Sequence, residues 1–140
     1  MNKRTDELMR MLNTSETLES YWTENQEELL EISLGTYLNQ LLSKYQVTKN
    51  EVIHRSCLNQ IYGYQIFAGT KKPSRDKLIA LIFGFPLCLE DAQRLLRVGG
   101  VSELYPRIKR DSMILFGMKE KLSVQELDDL LFEMGEKTIS

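Results

Sequence analysis

The chain is 140 residues long, 42% hydrophobic and 27% charged; this composition reads as one globular domain with appendages and excludes collagen-like and disordered classes. Two cysteines, Cys57 and Cys88, and a single histidine supply neither a disulfide framework nor a metal-ligand set, and they leave a histidine-dependent hydrolase without its parts. With 18 Lys and Arg against 20 Asp and Glu, the net charge is −2, which at first sight argues against a nucleic-acid partner.

Three prolines, eight glycines and no useful alternating apolar segment predict an all-α chain. The opening MNKRTDELMRML lacks the uninterrupted apolar stretch of a signal peptide. The longest apolar runs, 78–83 and 85–89, fall far short of the ~20 residues of a membrane span, so a soluble, cytoplasmic protein without a membrane partner is expected. Nine helical segments are read in chain order. The first covers Asp6 to Leu12, and the second Thr14 to Leu30, with Leu18, Tyr21, Trp22, Leu29 and Leu30 apolar. Leu34 to Gln46 places Leu34, Leu38, Leu41, Leu42 and Tyr45 at helical spacing. Lys49 to Arg55 follows the natural cap Thr48. Asn59 to Phe67 ends before Gly69, a stop signal. Ser74 caps Arg75 to Phe85, with Leu78, Ile79, Leu81 and Ile82 toward the core. Leu89 to Val98 ends at Gly99-Gly100, and Pro106 opens a helix to about Lys119. Val124 to Met134 begins with the capping box Ser123 and Glu126 and carries Leu127, Leu130, Leu131 and Met134 on one face.

Charge is distributed unevenly among these segments. Residues 1–35 hold three bases against eight acids, a net of −5. Residues 44–77 hold seven bases (Lys44, Lys49, Arg55, Lys71, Lys72, Arg75 and Lys77) against Glu51 and Asp76, a net of +5. The remainder, 78–140, carries eight bases and ten acids, a net of −2.

The basic stretch reads YLNQLLSKYQVTKNEVIHRSCLNQIYGYQIFAGTKKPSRDKLIAL over Tyr37 to Leu81. In order, it offers a leucine-rich helix, a Thr-capped helix, a short turn at Ser56 to Leu58, a helix ending YxxQI-like before Gly69, the pair Lys71-Lys72, Pro73-Ser74 and an apolar helix. This order resembles the helix-turn-helix domain of the Xre and lambda-repressor-like family. The string YGYQIFAGTKKPSRDKL with LYPRIKRD downstream is similar to short bacterial proteins of the Xre type. The resemblance implies a repressor-like five-helix core with additional N- and C-terminal helices. It also implies sequence-specific double-stranded DNA binding by a bacterial transcriptional regulator, with no enzymatic activity, cofactor or metal.

Base edges in the major groove present distinguishable donors and acceptors, and Asn or Gln can pair bidentately with adenine. Lys49, Asn59, Gln60, Ile61, Tyr64 and Gln65 are therefore assigned to the groove or its rim. Lys71, Lys72 and Arg75 are assigned to phosphates, beside the helix start at Ser74. Three departures from the family pattern stand out. Ile53 replaces a small residue at the helix crossing, Cys57 replaces a turn glycine, and Gly63 replaces a β-branched residue, so Ile53 is expected to fill the volume Gly63 vacates.

Ile61 and Tyr64, with Phe67 close by, also define the alternative reading, a protein-interaction adaptor on a reused helix-turn-helix scaffold whose face docks a partner. His54 reads as a solvated or capping residue and Cys57 as a plain buried thiol. Asp128, Asp129 and Glu133 read as a solvated helix face, and no phosphate-cradle or zinc-hydrolase motif is present. The organisation expected is an acidic helical arm at 1–33, the DNA-binding domain at 34–100, and a C-terminal helical pair at 101–140 that packs on the core or dimerises. A homodimer is expected because one half-site gives little specificity.

Overall fold

In the computed structural model, which describes residues 5–14 and 32–140, every regular element is an α-helix. The helices are α1 (Thr5–Thr14), α2 (Leu34–Tyr45), α3 (Lys49–Arg55), α4 (Gln60–Ala68), α5 (Arg75–Gly84), α6 (Leu89–Val98), α7 (Lys109–Lys119) and α8 (Val124–Glu133). None of the described helices is long and apolar enough to cross a membrane. The expected helix from Thr14 to Leu30, with Tyr21 and Trp22, lies outside the described residues apart from Thr14, the last residue of α1. The chain divides into two compact units, residues 1–32, which contain α1, and residues 33–140, which contain the other helices.

Within the second unit, helix starts follow the small polar residues. The side chains of Ser33, Thr48, Asn59, Ser74 and Ser123 each accept a first-turn N–H of α2, α3, α4, α5 and α8, and the reciprocal box between Ser123 and Glu126 is formed. Helix α6 starts differently. Cys88 offers no side-chain cap, and the Tyr45 hydroxyl, from the last turn of α2, takes the Cys88 N–H at 3.2 Å.

The ends of α3 and α4 share one device. At α3 the N–H groups of Cys57 and Leu58 return to the carbonyls of His54 and Ile53, with Cys57 left-handed at φ 57°. Helix α4 closes in the same way on Gly69 at φ 81°.

Helix α5 is apolar on most of its circumference and accordingly central. Leu78, Ile79, Ala80, Leu81 and Ile82 are all buried, and the helix packs against α3, α6 and α8. Its approach to α3 is so close that a Cβ on Gly84 would stand 2.5 Å from the Val52 carbonyl oxygen. Helix α2 packs against α4 and α6, α3 against α4, and α7 against α8. The last helix buries Leu127 and Leu131, whereas Met134 is exposed.

The helix expected to begin at Pro106 begins instead at Lys109. Ile108 N–H donates to the Tyr105 carbonyl at 3.0 Å, so Pro106 occupies the second position of a turn, where its fixed φ is favoured. The stretch before α7 is held from outside. The Gln93 amide pairs with both backbone groups of Leu104 at 2.7 and 2.9 Å. The Arg75 guanidinium donates to the Ser102 and Glu103 carbonyls, both at 2.9 Å.

Candidate nucleic-acid interface

Helix α4 is seated by small residues on its inner side. A Cβ on Gly63 would stand 2.7–2.9 Å from three side-chain carbons of Ile53. Ile53 thus occupies the space Gly63 leaves, as the sequence suggested. A Cβ on Gly35 of α2 would meet the Phe67 carbonyl oxygen at 2.9 Å, and Asn39 bridges the same two places, donating to the Gly35 and Phe67 carbonyls at 2.7 and 3.2 Å. The buried face of α4 is Gly63, Ile66 and Phe67, and its outer face is left to Gln60, Ile61, Tyr64 and Ala68.

Of the residues assigned to the groove, Gln60, Ile61 and Tyr64 share that outer face, whereas Asn59 caps the helix, Gln65 is half-buried and Lys49 stands on α3. Asn59 is the cap of α4, its Oδ1 accepting the Tyr62 N–H at 3.1 Å. Gln60 is exposed, Ile61 is 71% exposed and Gln65 is half-buried. The Tyr64 hydroxyl donates to Asn50 Oδ1. Lys49, at the start of α3, holds its ammonium 5.7 Å from the ring centroids of both Tyr64 and Phe67, which ties the first turn of α3 to the middle of α4. Lys71 and Lys72 are exposed on the loop after α4.

Three assignments change. Arg75 does not face outward. Its guanidinium grips the Asp111 carboxylate of α7 in two hydrogen bonds, 2.9 and 3.1 Å, in addition to the two loop carbonyls, and its side chain is only 24% exposed. Four of its five N–H donors are directed into the scaffold, so the guanidinium serves the fold rather than a phosphate. Phe67 is 2% exposed, packed with its ring centroid 6.4 Å from that of Phe85, and so is absent from the docking face drawn with Ile61 and Tyr64. Cys57 is exposed rather than buried, on a turn residue of left-handed backbone.

The basic segment is also partly neutralised. Lys44 lies 2.8 Å from Asp91, Arg55 lies 3.9 Å from Glu51, and Arg75 is committed to Asp111. Lys49, Lys71, Lys72 and Lys77 make no ion pair with another described residue, and these four are the positive charge the segment keeps. Lys77, in the first turn of α5, was counted in the basic stretch but not assigned. Its proximity to the capped start of α5, where Ser74 Oγ accepts its N–H, was the signal available. The tie of Asn50 to Tyr64 had none, because it joins two helices through a single hydroxyl.

Behind this face, Asp91 anchors α6 to α2. Burial alone would raise its carboxyl pKa, but hydrogen bonds from Lys44 and Tyr45 outweigh that and hold it below the ordinary carboxylate value. The hydrogen bond to Asp91 is the main cause of a raised pKa at Lys44. Burial, then the hydrogen bond to Asp91, raises Tyr45. Among the described residues, no group of three or more His, Cys, Asp or Glu side chains is placed to hold a metal ion.

No protein-family model, curated protein or solved structure matches this chain.

Proposed function

We propose that the protein is a sequence-specific double-stranded DNA-binding transcriptional regulator, non-enzymatic, in which α3, the turn at 56–59 and α4 act as a repressor-like helix-turn-helix of the Xre type. One observation carries the reading: the outer face of α4 presents Gln60 and Ile61 to solvent in a segment whose four lysines, Lys49, Lys71, Lys72 and Lys77, no described acid neutralises. An α-helix fits the major groove, the exposed amide and alkyl groups suit base edges, and lysines beside the helix suit the flanking phosphates. The all-helical order with capped α3, α4 and α5 supports the same reading.

Four phosphate contacts release about four counterions. The affinity for duplex DNA should therefore fall with salt at a log-log slope of roughly −3.5, measured by fluorescence anisotropy on random duplex and then on duplexes selected from a random library. A slope near zero, or no binding at low salt, rejects the reading. We further propose that it acts as a homodimer reading two half-sites, for which light scattering at tens of micromolar gives twice the chain mass; a monomer there rejects the dimer. The second reading, a protein-docking face, keeps Ile61 and Tyr64 as exposed groups but is weakened by the burial of Phe67.

A further inference from the structure

The geometry of α4 narrows what its outer face is able to recognise, an inference that rests on the DNA reading above. Of the polar groups at the start of this helix, Asn59 Oδ1 is occupied by the Tyr62 N–H and the Tyr64 hydroxyl by Asn50. The ammonium of Lys49 is held over the rings of Tyr64 and Phe67. Tyr64 and Asn50 thus act as positioning residues for the first turn of α3. Asn59 Nδ2 and the half-buried Gln65 amide also lack a described partner, but Gln60 and Ile61 form a consecutive pair that is exposed and free of such ties. The Gln60 amide has no hydrogen-bond partner among the described residues, and Ile61 beside it is 71% exposed, the highest exposure of any large apolar residue in the second unit after Phe132 at 77%.

Successive residues on a helix diverge by about 100°, so this pair addresses neighbouring base pairs rather than one. The major groove contains a single apolar marker, the 5-methyl group of thymine, and an amide side chain is matched bidentately by the N6 and N7 edge of adenine. We propose that each half-site contains a thymine whose 5-methyl group packs against Ile61, next to an adenine paired with Gln60. Ile61 is then a specificity-determining residue, and its exposure in the free protein is relieved when it covers that methyl.

The test uses the full chain and the tightest duplexes recovered from a random library, with each thymine replaced in turn by uracil, which lacks the methyl group. Burial of one methyl is expected to change affinity about fourfold. At one position per half-site, uracil should weaken the native protein by about that factor and leave Ile61→Ala unaffected. Replacing the neighbouring adenine by 7-deazaadenine should weaken the native protein but not Gln60→Ala. Ile61→Ala should keep the native salt slope, because it removes no charge, and the native melting temperature, because the side chain is in solvent. Selected duplexes insensitive to uracil, or uracil effects of equal size in Ile61→Ala, overturn the inference while leaving DNA binding intact. Failure of any duplex to bind at low salt overturns the DNA reading itself.

Discussion

At the residue scale, the crossing of α3 and α4 depends on one exchange of volume. Gly63 has no Cβ, and the branched carbons of Ile53 approach the vacant position to within 2.7 Å. Gly63→Val would force both helices apart or Ile53 off its rotamer, with an expected loss of about 2–3 kcal/mol in urea unfolding. The double variant Ile53→Ala with Gly63→Val should recover part of that loss, since the two side chains share the space. A Gly63→Val protein as stable as the parent would show that the helices are not held by this contact. Cys57 has the opposite problem, a side chain on a left-handed residue at φ 57°. Cys57→Gly removes a strain of about 1 kcal/mol at some cost in unfolded-chain entropy. A net gain of about 0.5 kcal/mol is expected, and Cys57→Val should lose more than that.

At the element scale, two polar assemblies join helices that the apolar core alone would leave loosely related. Asp111 is buried and bound by Arg75 and by the Tyr105 N–H at 3.0 Å. Arg75→Ala leaves that carboxylate without its cation and frees the loop before α7, with an expected loss of about 3–5 kcal/mol. Arg75→Lys should not restore it, because a lysine cannot reproduce the fork. If Arg75→Ala instead kept native stability and lowered the salt slope of DNA binding, the inward placement would be refuted. Asp91 is the second assembly. Its folded pKa lies below the unfolded one. The stability it contributes is therefore fully present above the ordinary value of about 3.9, and it is lost as pH falls through the lowered folded value. An acid titration followed by circular dichroism should show Asp91→Asn less stable than the parent near neutrality, with the gap closing below about pH 4. A gap unchanged down to pH 2 would remove the linkage.

At the scale of the whole molecule, the net charge of −2 conceals a separation along the chain. The acidic balance lies in residues 1–35, whereas in the basic segment at 44–77 Lys49, Lys71, Lys72 and Lys77 have no acidic partner among the described residues. An overall negative protein with a small cationic segment should bind non-specific DNA weakly and depend on base contacts for useful affinity. Lys71→Ala with Lys72→Ala is expected to lower affinity alike for all duplexes and to reduce the salt slope by about two. A loss confined to one sequence would place these lysines on bases instead. The C-terminal pair is part of the same unit as α2–α6, tied by Arg110 to Asp76 at 2.9 Å and to the Lys137 and Thr138 carbonyls. Truncation after residue 100 should therefore destabilise the helices that carry the proposed interface.

What the sequence by itself determined was local. Apolar spacing, small polar caps and terminal glycines respond to neighbours within four or five residues, so they placed the described helices to within a few residues; Gly63 against Ile53 came instead from two departures from the pattern the segment resembles. The outer face of α4 was legible only in part: Gln60, Ile61 and Tyr64 are exposed, but Phe67 is buried and Gln65 half-buried, because the helical period does not say which face the neighbouring helices cover. Pro106 misled because it suits a turn as well as a helix start, and the choice was made by Arg75 and Gln93 from distant helices. The destination of a long cation is a tertiary matter in general. Arg75 and Lys71 look alike in sequence, yet a buried carboxylate 36 residues away claims one and no described acid claims the other, because charge pairing acts through space and is set by which helices the core brings together.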